Sequence, residues 1–316
     1  MADILTVTLN PTVDLSTVAP EVTSGPKLRC DTPTADPGGG GINVSRAIKF
    51  LGGKSTAFIA AGGETGARLL QLLAAEHVKF TAFNVTGDTR QSIAVTDAST
   101  GEQYRFVMPG PVWDRATVSD ALHAIEAAAP KGGLVVLSGS QPPGVPASFT
   151  AQLQSILTPK SCDLFVDTSG APLHALATSA VGPFVLRMDD VEAEDLANRP
   201  LLKRTDTADF ASELVAQGVA QNVIIARGSD GSTLVNKDGR WHCSRAIDPA
   251  DVVSAVGAGD SFVGAFCMAV ARGDTLVHAL AMGTAAASAA VITAGTQLCN
   301  ASDVMTLLPD CELSEI

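Results

Sequence analysis

The sequence predicts an α/β fold, a parallel sheet covered by helices on both faces. Three observations predict it. Between residues 115 and 230, short apolar runs alternate with stretches of helical period. The runs are continuous, as in Leu134-Val135-Val136-Leu137, which is how strands buried on both faces read. Polar residues follow them: Ser138, Asp167, Asp189 and Arg227 would line one edge of the sheet, where ligands gather in such folds.

In chain order, Ile4 to Leu9 is β-branched and apolar and predicts a first strand. Asn10-Pro11 stops its ladder and leaves Asp14 where a strand meets a loop, as a candidate for a ligand hydroxyl or as a turn-stabilising acid. Residues 15–36, rich in Pro and Thr, suit short strands off the main sheet. Gly38-Gly39-Gly40-Gly41 then opens a helix carrying Asn43, Val44, Ile48 and Leu51, stopped by Gly52-Gly53. Four glycines in a row cost backbone entropy, so close approach or unusual dihedrals should be needed there. Asn43 could reach a bound hydroxyl or bond its own backbone. Strand 56–60, helix 66–76 and strand 78–80 follow. Ile93, Val95, Tyr104, Phe106 and Met108 alternate about a turn at 98–102, so a hairpin is predicted with one apolar face to cover something or pair with a partner chain. Arg90 and Arg105 flank it and could hold a phosphate or remain solvated. Helices at 115–129, 147–157, 171–178 and 207–217 alternate with strands at 134–137, 163–167, 184–188 and 222–228. A ribbon at 233–235 and 240–243 leads to helices at 258–272 and 275–292.

The most informative stretch is Ser254 to Phe262. Gly257-Ala258-Gly259 runs into an apolar helix, and a glycine-rich helix start exposes N–H groups suited to an anion. Asp260 then sits beside a place built for negative charge, either as a first-turn acid or as a general base.

Composition bounds the rest. The chain has 316 residues, 46% hydrophobic, with net charge −12. It shows no linker, repeat or low-complexity segment and is read as a single domain, 1–316. Residues 1–110 hold 9 basic and 10 acidic residues and the remainder 12 and 23, so an anionic small substrate suits the first third better. The acidic balance argues against nucleic acid. No apolar run is long enough to span a membrane, and no signal peptide is visible, so a cytoplasmic protein is expected. Six scattered cysteines argue for reduced thiols rather than disulfides or structural zinc. Gly53-Lys54-Ser55 resembles the end of a phosphate-binding loop, but it follows a helix and lacks the first glycine, which excludes that motif. The glycine run also lacks the context of a dinucleotide fingerprint, making a dehydrogenase a distant alternative.

Asn10-Pro11 with Asp14, the Gly38–Asn43 segment, and Val256-Gly257-Ala258-Gly259-Asp260 together resemble the PfkB (ribokinase-like) carbohydrate kinases. The resemblance covers essentially the whole chain. Lys27 to Cys30, Gly101 to Gly110, Ser138 to Gly144 and Gly295 to Cys299 look closest to the 6-phosphofructokinase branch. It implies a three-layer α/β/α domain with a small β-sheet lid, formed here by about 12–36 and 88–110, and a homodimer joined through the lids. It implies MgATP as phosphoryl donor and a hexose phosphate as acceptor, fructose 6-phosphate before fructose 1-phosphate or tagatose 6-phosphate. Asp260 would be the base, and the backbone of Gly257, Ala258 and Gly259 would stabilise shifting phosphate charge. Asp14, Gly38, Gly39 and Asn43 would hold the sugar. Arg90 would meet the sugar phosphate, helped by Ser138-Gly139-Ser140, with the Ser140 hydroxyl favoured. Lys27 and Arg29 would reach a phosphate from the lid. Glu192 would serve the magnesium shell. Whether potassium sits near Ser254 and residues 290–295, and whether ATP also inhibits, stay open.

The chain departs from the family pattern on the nucleotide side. Arg187-Met188-Asp189-Asp190-Val191-Glu192 stands where Lys-Pro-Asn-x-x-Glu is usual, and Ala226-Arg227-Gly228 replaces Ser-Leu-Gly. Asp189 adds a carboxylate that would need a cation between it and phosphate, and Arg227 adds a cation in place of a hydroxyl. These changes motivate a rival reading, a sugar-phosphate-binding regulator without transferase activity.

Overall fold

A computed structural model describes residues 2–293 and 298–316. Strand β1 (Ile4–Thr8) is followed by β2 (Thr12–Ala19), β3 (Thr34–Gly38), α1 (Gly40–Phe50), β4 (Thr56–Ala61) and α2 (Gly63–Ala75). Next come β5 (Phe80–Asn84), β6 (Arg90–Asp97), β7 (Gln103–Val107), α3 (Arg115–Ala128), β8 (Leu134–Ser138) and α4 (Phe149–Leu157). Then follow β9 (Asp163–Asp167), α5 (Gly170–Ala177), β10 (Val185–Asp189), α6 (Asp190–Ala197), α7 (Arg204–Ala216), β11 (Asn222–Ala226), β12 (Ser232–Asn236) and β13 (Gly239–Ser244). The chain closes with α8 (Ala258–Arg272), α9 (Leu276–Val291), α10 (Ala301–Leu307) and β14 (Glu312–Glu315).

The main sheet has ten strands in the order β14-β13-β12-β11-β10-β9-β8-β1-β4-β5. From β5 to β11 every pairing is parallel; β12, β13 and β14 add an antiparallel edge, so the expected parallel sheet is mixed. Alternate side chains of one strand feed opposite layers. Val135 and Leu137 pack with α3 to α7, whereas Leu134 and Val136 pack with α1, α8 and α9. Burying both faces is what makes these strands read as unbroken apolar runs.

A second sheet of four strands, ordered β3-β2-β6-β7, stands apart from the first. Asp14 lies inside β2, not at the end of β1: only three residues separate the two strands before pairing begins at Thr12 with Arg90 and Gly38, and Asp14 itself stands opposite Ser92 and Asp36. Other boundaries moved as well. The strand expected at 78–80 is β5, shifted onward because Val78 and Lys79 complete the turn after α2. Helices α6 and α10 and strand β14 were not anticipated.

Candidate active site

The site begins with two helix starts that the sheet points at one another. Gly257 caps α8 in the left-handed region, φ 80°, with no side-chain cap. The first turn therefore presents backbone N–H groups rather than satisfying them with a hydroxyl or carboxylate. Gly39 caps α1 with φ 119°, and a Cβ there would stand 2.7 Å from Thr8 Cγ2. That combination explains why glycine is needed. Between the helices, a Cβ on Gly264 would meet Ala47 Cβ at 2.8 Å, so α1 and α8 approach as closely as glycine permits. One turn earlier on each helix, Asn43 Nδ2 donates to Asp260 Oδ2 at 2.9 Å across 217 residues of sequence.

Asp260 is half-buried. Loss of hydration pushes its carboxyl up to about 7; Asp167 adds to the rise, while the Asn43 hydrogen bond, Arg187 and Arg46 oppose it. A carboxyl in that range can take or give a proton near neutral pH.

The second sheet brings the other early residues to the same place. A Cβ on Gly38 would lie 2.0 Å from Asp14 Oδ2, so that glycine makes room for the carboxylate. Burial raises Asp14, opposed by the Thr12 and Ser92 hydroxyls and by Arg90 and Arg105. Arg90 opens β6 and donates from Nε and Nη2 to the Asn10 carbonyl, both at 3.3 Å, and from Nη1 to Met108 O at 3.5 Å. The Gly40 backbone rests on the turn after β8, where an added Cβ would meet Ser138 Oγ at 2.4 Å and Gly139 N at 2.8 Å. Ser140 accepts from Asn10 Nδ2 at 3.1 Å, while Ser138 is buried and donates to Asp167 Oδ2 at 3.2 Å. A cleft of about 700 Å³ runs between this sheet and the start of α8, lined by Asp14, Asn43, Arg46, Ser92, Arg105 and Gly257. Lys27 and Arg29 lie on the exposed loop between β2 and β3, and neither lines the cleft.

The residues expected on the nucleotide side are arranged differently. Arg187, on β10, donates from Nη1 to Asp167 Oδ1 at 3.0 Å. Its burial works against the charge, but Asp167, with Asp260 and Glu192, more than offsets this and holds the guanidinium charged. Its Nη2 stands 3.2 Å from where a Gly259 Cβ would be, and its Nε is buried without a partner. An orphaned donor on a charged guanidinium beside a glycine turn fits an anionic phosphate. Asp189 is the N-cap of α6: its Oδ1 accepts from Glu192 N at 2.8 Å while Glu192 Oε2 accepts from Asp189 N at 2.9 Å. Burial raises Glu192, and Asp189 and Asp167 add to the rise. Ala226 pairs in register with Asp189. Gly228 has φ 55° and starts a short turn.

Arg227 is not brought into the cleft as a free cation. Its Nε donates to Asp230 at 2.9 Å, Nη1 to Leu201 O at 2.9 Å and Nη2 to Leu202 O at 3.1 Å, with Thr207 Oγ1 also bound. Its donors tie the segment before α7 to the turn after β11. Among the described residues there is no group of three or more His, Cys, Asp or Glu arranged to hold a metal. Ser254 Oγ accepts from Val256 N at 3.1 Å; residues 294–297, which include the last two residues of the 290–295 segment expected beside a potassium ion, lie outside the described residues.

Sequence reasoning left three members of this net without a role. Asp167 joins Ser138 to Arg187, and Asn10 joins the β1 end to Ser140. Arg46 is buried, and it falls four residues after Ile42 and four before Phe50, on a line of α1 that is otherwise apolar. A lone cation on such a line is the signal that could have found it.

Comparison with known proteins places this geometry. The model of the pfkB family carbohydrate kinases matches residues 5–303. The ATP-dependent 6-phosphofructokinase isozyme 2 of Mycobacterium tuberculosis (strain CDC 1551 / Oshkosh) is 38% identical over 303 residues, 95% of this chain and 87% of that one. The protein of the same name from Escherichia coli (strain K12) is 38% identical over 312 residues, 97% of this chain and 98% of that one. Crystal structures of Escherichia coli phosphofructokinase-2 superpose with TM-scores of 0.92 (in complex with potassium, 37% identity) and 0.90 (in complex with fructose-6-phosphate, 36% identity), each covering 98% of this chain and 99% of that one. With two glycine-started helices joined at Asn43 and Asp260 and a family match spanning nearly its whole length, the chain belongs to the pfkB family of carbohydrate kinases.

Proposed function

We propose that this kinase transfers the γ-phosphoryl group of ATP to a hydroxyl of fructose 6-phosphate, giving fructose 1,6-bisphosphate. The observation that carries the reading is the Asn43–Asp260 hydrogen bond at the uncapped start of α8. The named activity of the relatives and the neighbour solved with fructose-6-phosphate support the acceptor.

Asp260 accepts the proton of the attacking hydroxyl, and Asn43 steadies its carboxylate while holding a sugar hydroxyl. The N–H groups of the Gly257-Ala258-Gly259 turn, with the Arg187 guanidinium, face the charge that develops on phosphate oxygens. Asp14, Gly38 and Gly39 hold the sugar, and Arg90 with Ser138, Gly139 and Ser140 receives its phosphate. Lys27 and Arg29 reach a phosphate from the loop between β2 and β3, part of the lid, formed by 12–36 and 88–110, of a single domain. Asp189, Ala226 and Gly228 border the nucleotide through their backbone. Arg227 contributes by fixing that border, not by touching phosphate. Mg²⁺, through Glu192 and its water shell, neutralises phosphate charge when bound. The potassium complex of the Escherichia coli protein supports a bound monovalent cation, for which the candidate place in this chain is the Ser254 segment.

A homodimer through the lid fits the outer strand of the second sheet. Tyr104 (37% exposed), Phe106 (54%) and Val107 (62%) leave apolar area on β7 open to solvent, more than a lone chain gains from. No helix among the described residues is long and apolar enough to cross a membrane, which agrees with a cytoplasmic enzyme of sugar breakdown.

The test is ADP production with MgATP and fructose 6-phosphate, fructose 1-phosphate or tagatose 6-phosphate. The expected result is the highest kcat/KM with fructose 6-phosphate. Preference for another sugar corrects the acceptor, and no turnover with any hexose phosphate supports the regulator reading.

A further inference from the structure

The α1 helix carries a buried ion pair whose reach extends to the proposed base. Arg46 is 6% exposed. It grips Glu76, just beyond α2, with two parallel bonds, Nε to Oε2 at 2.7 Å and Nη2 to Oε1 at 2.8 Å. Its guanidinium lies 5.9 Å from the Phe50 ring centroid. The remaining nitrogen, Nη1, donates to Pro37 O at 3.4 Å and to Asn43 Oδ1 at 3.3 Å. The same Asn43 amide donates from Nδ2 to Asp260 Oδ2.

An asparagine amide has two ends of nearly equal shape and opposite chemistry. Packing alone does not choose between them. An arginine has donors and no acceptor, so the end facing it must be the oxygen. With the oxygen held, the N–H end is the one left for Asp260. In the flipped arrangement a carbonyl oxygen would face a carboxylate, and two acceptors repel. Glu76 matters because it fixes the planar guanidinium by its other edge, leaving Nη1 aimed at Asn43.

We infer that Arg46, clamped by Glu76, is a positioning residue for phosphoryl transfer: it orients the Asn43 amide so that an N–H, not an oxygen, meets the Asp260 carboxylate. The inference rests on the reading of Asp260 as base. Arg46 borders the cleft, but its nitrogens are engaged by Glu76, the Pro37 carbonyl and Asn43, and it acts on the reaction through Asn43. The charged groups facing Asp260 are Arg46 from α1, Asp167 from β9 and Arg187 from β10; Asp167 and Arg187 stay when Arg46 is replaced, and the direct pull of the Arg46 charge is what remains once Asn43 is removed.

The experiment is the pH profile of kcat at saturating ATP and sugar phosphate for the intact enzyme, Arg46→Met, Arg46→Lys, Glu76→Gln, Asn43→Ala and the Asn43→Ala/Arg46→Met double variant. The acid limb is expected to move up by about one pH unit in Arg46→Met, so that turnover well below the limb falls about tenfold and recovers at alkaline pH. KM for ATP should stay unchanged. Arg46→Lys should shift the limb less, because one ammonium can still reach the amide oxygen. In the Asn43→Ala background, adding Arg46→Met should move the limb by less than half as much. A lower kcat with an unmoved limb would overturn the inference, leaving Arg46 a structural ion pair, and so would an undiminished shift without Asn43. Should Arg46→Met fail to fold, Glu76→Gln decides by the same criterion, since it keeps Arg46 and loosens its grip. An Asp260→Asn variant with full turnover would instead remove the base reading, which separates the two failures.

Discussion

Arg90 and Arg227 both stand at the end of a strand, one opening β6 and the other following β11, and they use their guanidinium groups in opposite ways. Arg90 reaches two backbone carbonyls at 3.3–3.5 Å and faces the Asp14 carboxylate, an arrangement with donor capacity to spare. Arg227 is bound at 2.9–3.1 Å by Asp230 and the carbonyls of Leu201 and Leu202, which consume its fork. The same contrast holds for the acids. Asp14 sits among hydroxyls in an open cleft, whereas Asp189 is spent on a reciprocal cap with Glu192. A charge that departs from the family pattern therefore need not alter the ligand site. On the proposed nucleotide side the new charges have been absorbed into the fold, while the proposed sugar side keeps its valences open.

Four substitutions would break or sharpen this contrast. The largest effect is expected from Asp260→Asn, which should lower kcat by about 10²–10⁴-fold while leaving sugar-phosphate binding, measured by calorimetry, nearly intact. The same variant carries a signed pH effect. The native Asp260 titrates at about 7 against 3.8 unfolded, so between these values the folded chain holds more protons and its stability falls as pH rises. Asp260→Asn should thus unfold at higher temperature than the parent above pH 7, by about 1–3 kcal/mol, with the gap closing toward pH 4. An equal gap at all pH values would contradict the raised carboxyl.

Arg90→Ala should come next, raising KM for the sugar phosphate by about 10–100-fold, the worth of a charge-assisted hydrogen bond, with KM for ATP unchanged. An equal rise in both constants would dissolve the division of labour. Arg227→Ala should cost about 1–3 kcal/mol in denaturant unfolding, because it strips the Leu201 carbonyl and the Asp230 carboxylate of their donor, and should leave KM for ATP within about twofold. A tenfold rise in that constant would return Arg227 to the nucleotide. Asp189→Asn should do least. Asn caps a helix about as well as Asp, so unfolding should move by under about 0.5 kcal/mol, and the magnesium dependence of turnover should barely change. A marked relaxation of magnesium dependence would show that the Asp189 carboxylate acts on the metal after all.

Much of the fold could be read before its coordinates, for a physical reason. Strands β8, β9 and β11 are buried on both faces, so their centres spell apolar runs, as does β10 apart from Arg187, and the helices between them bury one stripe. Helix α6 escaped notice because it buries little beyond Ala193 and is held by its cap, and β14 because its residues, Glu-Leu-Ser-Glu, are all exposed. Neither carries a periodic signal: α6 rests on its local Asp189–Glu192 cap, and β14 on pairing with β13, distant in sequence. The site divides the same way. The glycine turns at 38–41 and 257–259 announce themselves because only glycine tolerates their dihedrals and close contacts. The Asp189-x-x-Glu192 spacing is itself a local capping signature, whereas that Arg227 points its donors at residues 201–202 depends on where another segment folds, which no local pattern encodes.

Strand β14 has a consequence of its own. It pairs with β13 through Trp241, His242, Cys243 and Ser244 and forms the outermost rung of the main sheet. Every sheet margin is a template on which a stranger can extend. Here the template is closed by a strand that carries a carboxylate at each end, Glu312 and Glu315, and these would repel the same strand of another molecule. Without it, β13 would offer its unpaired backbone and the Trp241 ring to passing chains, so these few surface residues, remote from the chemistry, act as a guard against fibre-like self-assembly.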